Sequence, residues 1–194
     1  MKVTDDAPVL PHWINGHALL AVAGSYHDIT NAAGQVLRRT PLCGSHYLQQ
    51  AQAAALQAQP AWQACGPADR QERLHAVADS LERYQEHLGN LLQEETPLDA
   101  SAALAEVHSA ASAFRHPGAS AATGPVLQLD AGFATPEHPL SSLATPLAAA
   151  LAAGQTVAVR TDPCRPSLLL ALAELCSRAG LPDGAVNVAH GKAE

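Results

Sequence analysis

Residues 140–159, LSSLATPLAAALAAGQTVAV, contain a helix pattern, a glycine and a short apolar strand in that order. The apolar run 140–153 is long enough for a helix, and Gly154 is a typical residue just past a helix end. Residues 156–159 then predict a strand. The same order recurs in residues 167–188, SLLLALAELCSRAGLPDGAVNV, where Gly180 follows the helix. The chain therefore contains two consecutive helix–strand units.

A further apolar strand at residues 126–129, VLQL, precedes these two units. Strand, helix, strand, helix and strand with short links imply parallel pairing through right-handed crossovers. We therefore predict an α/β fold containing a parallel three-stranded βαβαβ sheet, one half of a Rossmann-like doubly wound sheet. The strand ends at Asp130, Arg160 and Ala189 are expected to form the crevice where such folds bind ligands.

The first half of the chain has a different pattern, in which short strands precede helices. Residues 1–12 lack periodicity and are predicted to be a flexible tail. Asn15-Gly16 and residues 31–34 are turn signals between apolar runs, so two hairpins of strands are expected.

Three helices are predicted after the hairpins. The first covers residues 46–59, because Pro60 is expected to end it. The second is one long helix over residues 67–95 with a single apolar stripe. The third begins at Asp99 or Ser101.

These elements suggest a chain in two parts. Residues 13–116 form the strand and helix part, and residues 125–194 form the truncated Rossmann-like half. Between them, residues 117–124, PGASAATG, are predicted to be a flexible linker.

The composition argues against several classes of function. The net charge is −7, from 11 Lys and Arg against 18 Asp and Glu without a basic run, so nucleic acid and membrane are not expected partners. No signal peptide or bilayer-spanning run is recognised, which favours the cytoplasm. The four cysteines lack CxxC spacing and the ten histidines are scattered, so no metal site is predicted.

Seven short blocks, in order along nearly the whole chain, carry a family resemblance. They are Ile14-Asn15-Gly16 ("ING"), 29–36 ("NPATGEV"), 59–62 ("FPAW"), 70–81 ("ER...L...AD.L"), 94–98 ("ETGKPL"), 149–157 ("PALAAGNTVV") and 180–188 ("GLPPGVVNVV"). In this order and spacing the blocks resemble the amino-terminal, NAD(P)-binding portion of the aldehyde dehydrogenase superfamily, in a truncated and degenerate form.

The resemblance implies a mechanism that this sequence is not expected to perform alone. In the family a cysteine thiolate attacks the aldehyde, amides stabilise the oxyanion, hydride passes to NAD(P), and a glutamate activates water. The catalytic cysteine and glutamate of the family lie beyond the third sheet strand. None of the four cysteines here has that context: Cys176 is expected in the core, and Cys164 to be structural or incidental. No catalytic residue is assigned.

The family's oxyanion motif "PWNFP" falls on residues 135–139, where Glu137 replaces the asparagine. An ionised carboxylate cannot donate a hydrogen bond to an oxyanion. The local alternative is an ordinary helix start, with Thr135 as N-cap and Pro136 as the first helical residue. An acid/base role of Glu137 together with His138 is a further alternative.

The family's cofactor motif "KPSE" falls on residues 160–163. Arg160 keeps the cation and is the one cofactor-binding candidate, although a solvated charge at a strand end is the simpler explanation. Pro163 replaces the ribose-binding glutamate, and Asp162 could substitute only after a backbone shift. NAD(P) is the family cofactor, but none is expected here.

Several functions remain open from the sequence. The preferred hypothesis is a non-catalytic pseudoenzyme that serves as an assembly or interaction module, as a homo-oligomer or with a partner protein that completes the edge of the half sheet. The alternatives are a residual NAD(P)-binding protein, a subunit of an aldehyde oxidoreductase, and a decayed gene fragment.

Overall fold

A computed structural model describes residues 7–21, 23–31, 33–133, 135 and 137–191 of the chain. Residues 1–6 of the predicted tail, Pro136 and the last three residues therefore lie outside the described part. The strands are β1 (His12–Ile14), β2 (His17–Leu19), β3 (Tyr26–Thr30), β4 (Val36–Pro41), β5 (Val126–Asp130), β6 (Thr156–Thr161) and β7 (Val186–His190). The helices are α1 (His46–Ala64), α2 (Pro67–Arg83), α3 (Gln85–Glu95), α4 (Ala100–Arg115), α5 (Ser141–Ala152) and α6 (Ser167–Arg178).

The predicted parallel sheet of the second half is confirmed. Strand β6 lies between β5 and β7 and pairs with both in parallel, with Leu127 opposite Val157 and Val159 opposite Val188. Helices α5 and α6 make the two crossovers. Gly154 and Gly180 follow them with φ of 84° and 87°, a left-handed conformation that glycine adopts without a steric penalty.

The sheet is wider than the three strands expected from the sequence. Its order is β2-β1-β7-β6-β5, because the first hairpin adds β1 antiparallel to β7. Trp13 pairs with Val188, and the buried Asn187 side chain accepts a hydrogen bond from the Asn15 backbone N–H at 2.9 Å. The expected half sheet is thus a mixed five-stranded sheet whose β7 edge is covered by the chain itself.

Two predicted helix limits are wrong. Pro60 lies inside α1, which continues to Ala64 because Trp62 beyond it is fully buried and its indole N–H donates to the Leu151 carbonyl at 2.9 Å. The single helix expected over 67–95 is divided at Tyr84, whose φ of −100° and ψ of 18° end α2. Beyond the break, Leu88 of α3 packs into the core.

Helices cover both faces of the sheet. On one face, α1 approaches closely because only small residues meet there: Ala51 and Ala55 pack on Ala158 and Ala189. On the other face α5 and α6 cover the strands, and α2, α3 and α4 pack outside them. The main hydrophobic core runs continuously from Trp62 to Val188, so it joins residues of both predicted parts.

The segments predicted as tail and linker both make ordered contacts. Val9 forms a bridge with Arg39, and the Leu10 N–H donates to the Arg39 carbonyl at 2.9 Å. Residues 117–124 contain no helix or strand, but the Gln155 side chain donates to the Ala122 carbonyl at 3.0 Å.

Candidate functional site

The carboxyl edge of the parallel strands is the position where ligands bind in sheets of this class. Arg160 lies there, at the end of β6, and its guanidinium forms an ion pair with the carboxylate of Asp130 at the end of β5. Asp130 also accepts a hydrogen bond from the Gly132 N–H at 3.0 Å. Ala189, opposite Arg160 on β7, is buried under α1. Asp130 and Arg160 therefore pair with each other, and Ala189 is buried and does not line the crevice.

The loop after β6 is closed by its own hydrogen bonds. The Asp162 carboxylate accepts from the Cys164 N–H at 2.9 Å and from the Arg165 guanidinium at 2.9 Å. The carbonyl of Pro163 accepts from the Thr40 hydroxyl at 2.9 Å. Asp162 thus faces its own loop and does not replace the ribose-binding carboxylate.

A buried carboxylate occupies the start of α5. Glu106, which projects from α4, accepts hydrogen bonds from the Leu140 N–H at 3.2 Å and the Ser141 N–H at 3.0 Å. It also accepts from the Ser141 hydroxyl at 3.0 Å and contacts Nδ1 of His138 at 2.9 Å. Burial opposes the charged form, but the hydrogen bonds from Ser141, His138 and Leu140 outweigh it and lower the pKa of Glu106.

A second carboxylate occupies the start of α6. Glu95, from the end of α3, accepts from the Ser167 N–H at 3.1 Å and from Nε of Arg38 at 3.2 Å. Its side chain is fully buried, and this burial raises its pKa despite the hydrogen bonds from Ser167 and the positive charge of Arg38. Helix N-termini attract anions, so both helix starts at this edge already hold an internal carboxylate.

These contacts decide whether a nicotinamide dinucleotide fits the edge. Such a cofactor brings two phosphates, which require a cation or a helix N-terminus, and riboses, which require an acceptor. Arg160 is neutralised by Asp130, the starts of α5 and α6 face Glu106 and Glu95, and Asp162 is engaged. The described residues of this edge do not fit the cofactor.

The expected helix start at Thr135 is wrong. Helix α5 begins at Ser141, because Glu106 rather than Thr135 receives its first N–H groups. The Thr135 hydroxyl accepts from the His138 N–H at 3.2 Å, within the preceding turn. Glu137 is exposed, and the imidazole of His138 pairs with Glu106 instead. The structure thus does not bring Glu137 and His138 together as an acid/base pair.

Sequence reasoning missed Glu106, although one signal was present. Glu106 lies on the buried face of α4, between Ala103 and Ala110 at helical spacing. A carboxylate that faces the core requires hydrogen-bond donors. The first backbone N–H groups of a helix have no partner within that helix, so a helix start can provide such donors.

Three of the four cysteines do not have the surroundings of a nucleophile. Cys176 is buried in the core as predicted, and burial raises its pKa to about 12. Burial also raises the pKa of Cys43 and of Cys164, where the charge of Asp162 adds to the effect. A nucleophilic cysteine requires a lowered pKa.

Two features are absent from the part of the chain that the structure describes. No cluster of three or more His, Cys, Asp or Glu side chains suited to a metal ion occurs there. None of its helices combines the length and the apolar character that crossing a membrane requires.

Comparison with known proteins gives a consistent result. The model of the aldehyde dehydrogenase family matches residues 21–129 and 131–194. Malonate-semialdehyde dehydrogenase of Pseudomonas aeruginosa is 31% identical over 208 residues, covering 95% of this chain and 41% of the relative. Among solved structures, an NADP-dependent enzyme of E. coli superposes with a TM-score of 0.84 at 29% identity, over 95% of this chain and 42% of that one.

A solved structure of PnpE in complex with nicotinamide adenine dinucleotide has a TM-score of 0.81 and 27% identity, over 94% of this chain and 42% of that one. The chain thus spans about 41% of the length of the curated relative named above.

Proposed function

The chain belongs to the aldehyde dehydrogenase family, and on this premise we propose that it is a non-catalytic assembly module that pairs with a second copy of itself along β5. The observation that carries the proposal is the open outer edge of β5. Within the described residues, no strand pairs with this side of β5. An uncovered edge strand presents free backbone N–H and C=O groups to another chain.

The backbone groups that face this edge follow from the register. The Pro125 carbonyl accepts from the Thr156 N–H at 3.1 Å, so Pro125 faces β6. Because successive residues of a strand direct their backbone groups to opposite sides, Leu127 and Leu129 also face β6. The N–H and C=O groups of Val126 and Gln128 therefore face outward.

The β5 edge lacks several features that usually prevent an edge strand from pairing with another chain. It carries no lysine and no bulge, and the charge of Asp130 is matched by Arg160. Beside it, a groove of about 430 Å³ lies between α1 and β5. Leu56 in this groove has 57% of its surface exposed, and the Gln52 amide bonds to Gln128 at 3.1 Å.

A second copy fits this edge by symmetry. An antiparallel pairing across a two-fold axis at Gln128 places Val126 opposite Asp130, and Leu127 opposite Leu129, of the other copy. Like charges do not oppose each other in this register. On the α5 face the half-buried Leu127 and Leu129 of both copies would cover each other, which is a favourable cross-strand contact.

The non-catalytic part of the proposal rests on the cysteines and on the cofactor edge. The thiols of Cys43, Cys164 and Cys176 have raised pKa values, and Glu137 stands where the family resemblance places an amide donor. The ion pair between Asp130 and Arg160 and the carboxylates at the helix starts oppose binding of an anionic dinucleotide.

Light scattering after size-exclusion chromatography tests the assembly. We expect the wild-type chain to be a dimer and Gln128→Pro to be a monomer with unchanged circular dichroism, because proline removes one outward N–H without affecting the bonds to β6. Gln128→Ala keeps that N–H and is the matched control, expected to remain a dimer. A wild-type monomer at all concentrations, or a dimeric Gln128→Pro, would overturn the β5 pairing.

A titration with NAD+ and NADP+ tests the non-catalytic part separately. Neither cofactor is expected to raise the melting temperature, because only ligand binding to the folded state stabilises it. The chain is also not expected to reduce either cofactor in the presence of an aldehyde. A saturable rise in melting temperature would show that a nucleotide site has been retained, whatever the oligomeric state.

A further inference from the structure

Two buried histidines join the amino-terminal strand to the end of the parallel sheet. His12 in β1 is fully buried, and His190 at the end of β7 is 1% exposed. Their ring centroids lie 5.2 Å apart. Histidines are seldom buried without a reason, because the charged form loses its hydration.

The hydrogen bonds determine which nitrogen carries the hydrogen in each neutral ring. Nδ1 of His12 accepts from the His190 backbone N–H at 2.9 Å, so the hydrogen of His12 is on Nε2, which faces the Cys43 sulfur at 3.6 Å. Nε2 of His190 lies 2.8 Å from the Pro11 carbonyl, which can only accept. The hydrogen of His190 is therefore on Nε2, and its Nδ1 accepts from the Thr161 hydroxyl at 2.8 Å.

The groups around the pair offer no negative charge. From α1, Tyr47 stacks on His12 with centroids 4.2 Å apart, and His46 contacts the edge of Tyr47. Cys43 approaches from the loop before α1, and Thr161 from β6. Among the described residues, none of the hydrogen-bond partners of the two rings is a carboxylate. The positive charge of a proton added to either ring would thus have no negative charge among these partners to balance it.

We propose that His12 and His190 are a proton-sensitive latch, which holds the β1–β2 hairpin on β7 while both rings are neutral and releases it when His12 is protonated. A proton on Nδ1 of His12 would turn this acceptor into a donor. It would then face the His190 N–H, which is also a donor, and the hydrogen bond between them would be lost. His190 contributes less, because the Thr161 hydroxyl can turn and accept.

Apart from the histidines, the hairpin is held by a short strand contact and by side-chain packing. Within the described residues, β1 is in register with β7 at Trp13 and Val188, and the Asn15 N–H just beyond β1 donates to the Asn187 side chain. Trp13 packs against the main core and Ile14 against the cluster under α1. Loss of the histidine bonds is therefore expected to free the hairpin before the core unfolds. Release exposes the backbone N–H and C=O groups of β7 that face β1.

The direction of the pH effect follows from the burial of the rings. Burial, with the nearby His190 as a smaller cause, lowers the pKa of His12 from 6.5 to about 4. Burial lowers the pKa of His190 to about 4 despite its bond to the Pro11 carbonyl. The released hairpin binds protons more strongly, so opening is favoured progressively as the pH falls from 6.5 to about 4, and the latch stays closed above 6.5.

The two tryptophans of the chain report on the two events separately. Trp13 lies in the hairpin, whereas Trp62 is fully buried in the core. We would follow both indole N–H signals by NMR in the unmodified chain during an acid titration. The Trp13 signal is expected to move to its solvent-exposed position between pH 6.5 and about 4, while the Trp62 signal still reports a folded core.

Two variants separate a latch from a merely structural contact. His12→Asn keeps an acceptor near the position of Nδ1 but cannot titrate, so Trp13 is expected to stay in place throughout this pH window. His12→Ala is expected to expose Trp13 at neutral pH. The proposal is overturned if Trp13 and Trp62 change together in the wild type, or if His12→Asn titrates as the wild type does.

Discussion

The two outer strands of the parallel half, β7 and β5, differ in how their free edges are treated. The β7 edge is covered by the chain itself, through β1, the Asn187 side chain and the two buried histidines. The β5 edge is bare within the described residues and lies beside a groove. The contrast is therefore between an outer parallel strand that the chain itself covers and one that it leaves bare.

The largest expected difference is between two neighbouring proline substitutions in β5. Leu127→Pro removes a bond to β6 and is expected to cost about 3 kcal/mol of unfolding free energy, whereas Gln128→Pro removes only an outward N–H and is expected to cost less than about 1 kcal/mol. Urea denaturation of both variants at low protein concentration measures this. Equal losses would mean that the assigned edge direction is wrong.

Removal of the polar group that closes the β7 edge should have the next largest effect. The Asn187 side chain donates to the Gly184 carbonyl at 2.6 Å and accepts from the Asn15 N–H. Asn187→Ala leaves the buried Gly184 carbonyl and the part-buried Asn15 N–H without this partner and is expected to cost about 2–3 kcal/mol. Gln52→Ala beside β5 is the matched control, with an expected change within about 0.5 kcal/mol.

Acid should selectively weaken the attachment of β1 to β7. His12 and His190 have pKa values lowered to about 4, so the stability they contribute is fully present above pH 6.5 and declines as the pH falls to about 4. The shift from 6.5 to about 4 sets an upper limit of roughly 3–4 kcal/mol per ring, at about 1.4 kcal/mol per pKa unit. Thermal unfolding across this range should show the decline, and His12→Asn should reduce it. A flat profile in the wild type would contradict the account.

The smallest effect is expected in the groove beside β5. Leu56 has 57% of its surface exposed, so Leu56→Ser should leave the stability of the monomer unchanged. If the groove contributes to pairing, the same substitution raises the dissociation constant of the dimer by less than about tenfold. Sedimentation equilibrium measures this change, and Gln57→Ser, at an exposed position of the same helix outside the groove, is the control.

The sequence predicted the parallel strands well because their signals are local. The apolar runs of β5, β6 and β7, and the glycines after α5 and α6, depend only on neighbouring residues. Helix limits inside the first half were less predictable. Burial of Trp62 carries α1 past Pro60, so a tertiary contact overrides the local preference there. The break at Tyr84 has no signal in the apolar period of the sequence.

The least predictable features join residues far apart in the chain. Asn15 meets Asn187, and Glu106 receives the first N–H groups of α5 in place of Thr135. Periodicity cannot identify such partners, because it describes one element at a time. Arg160 was correctly expected at the strand end, but its pairing with Asp130 required the register of β5 and β6.

Residue-resolved hydrogen exchange tests the central claim, pairing along β5, most directly. The amides of Leu127 and Leu129 face β6 and should be protected at every protein concentration. The amides of Val126 and Gln128 face outward, and we expect them to become protected as the concentration rises and the dimer forms. Rapid exchange of Val126 and Gln128 at a concentration where the chain is dimeric would contradict the account and place the interface elsewhere.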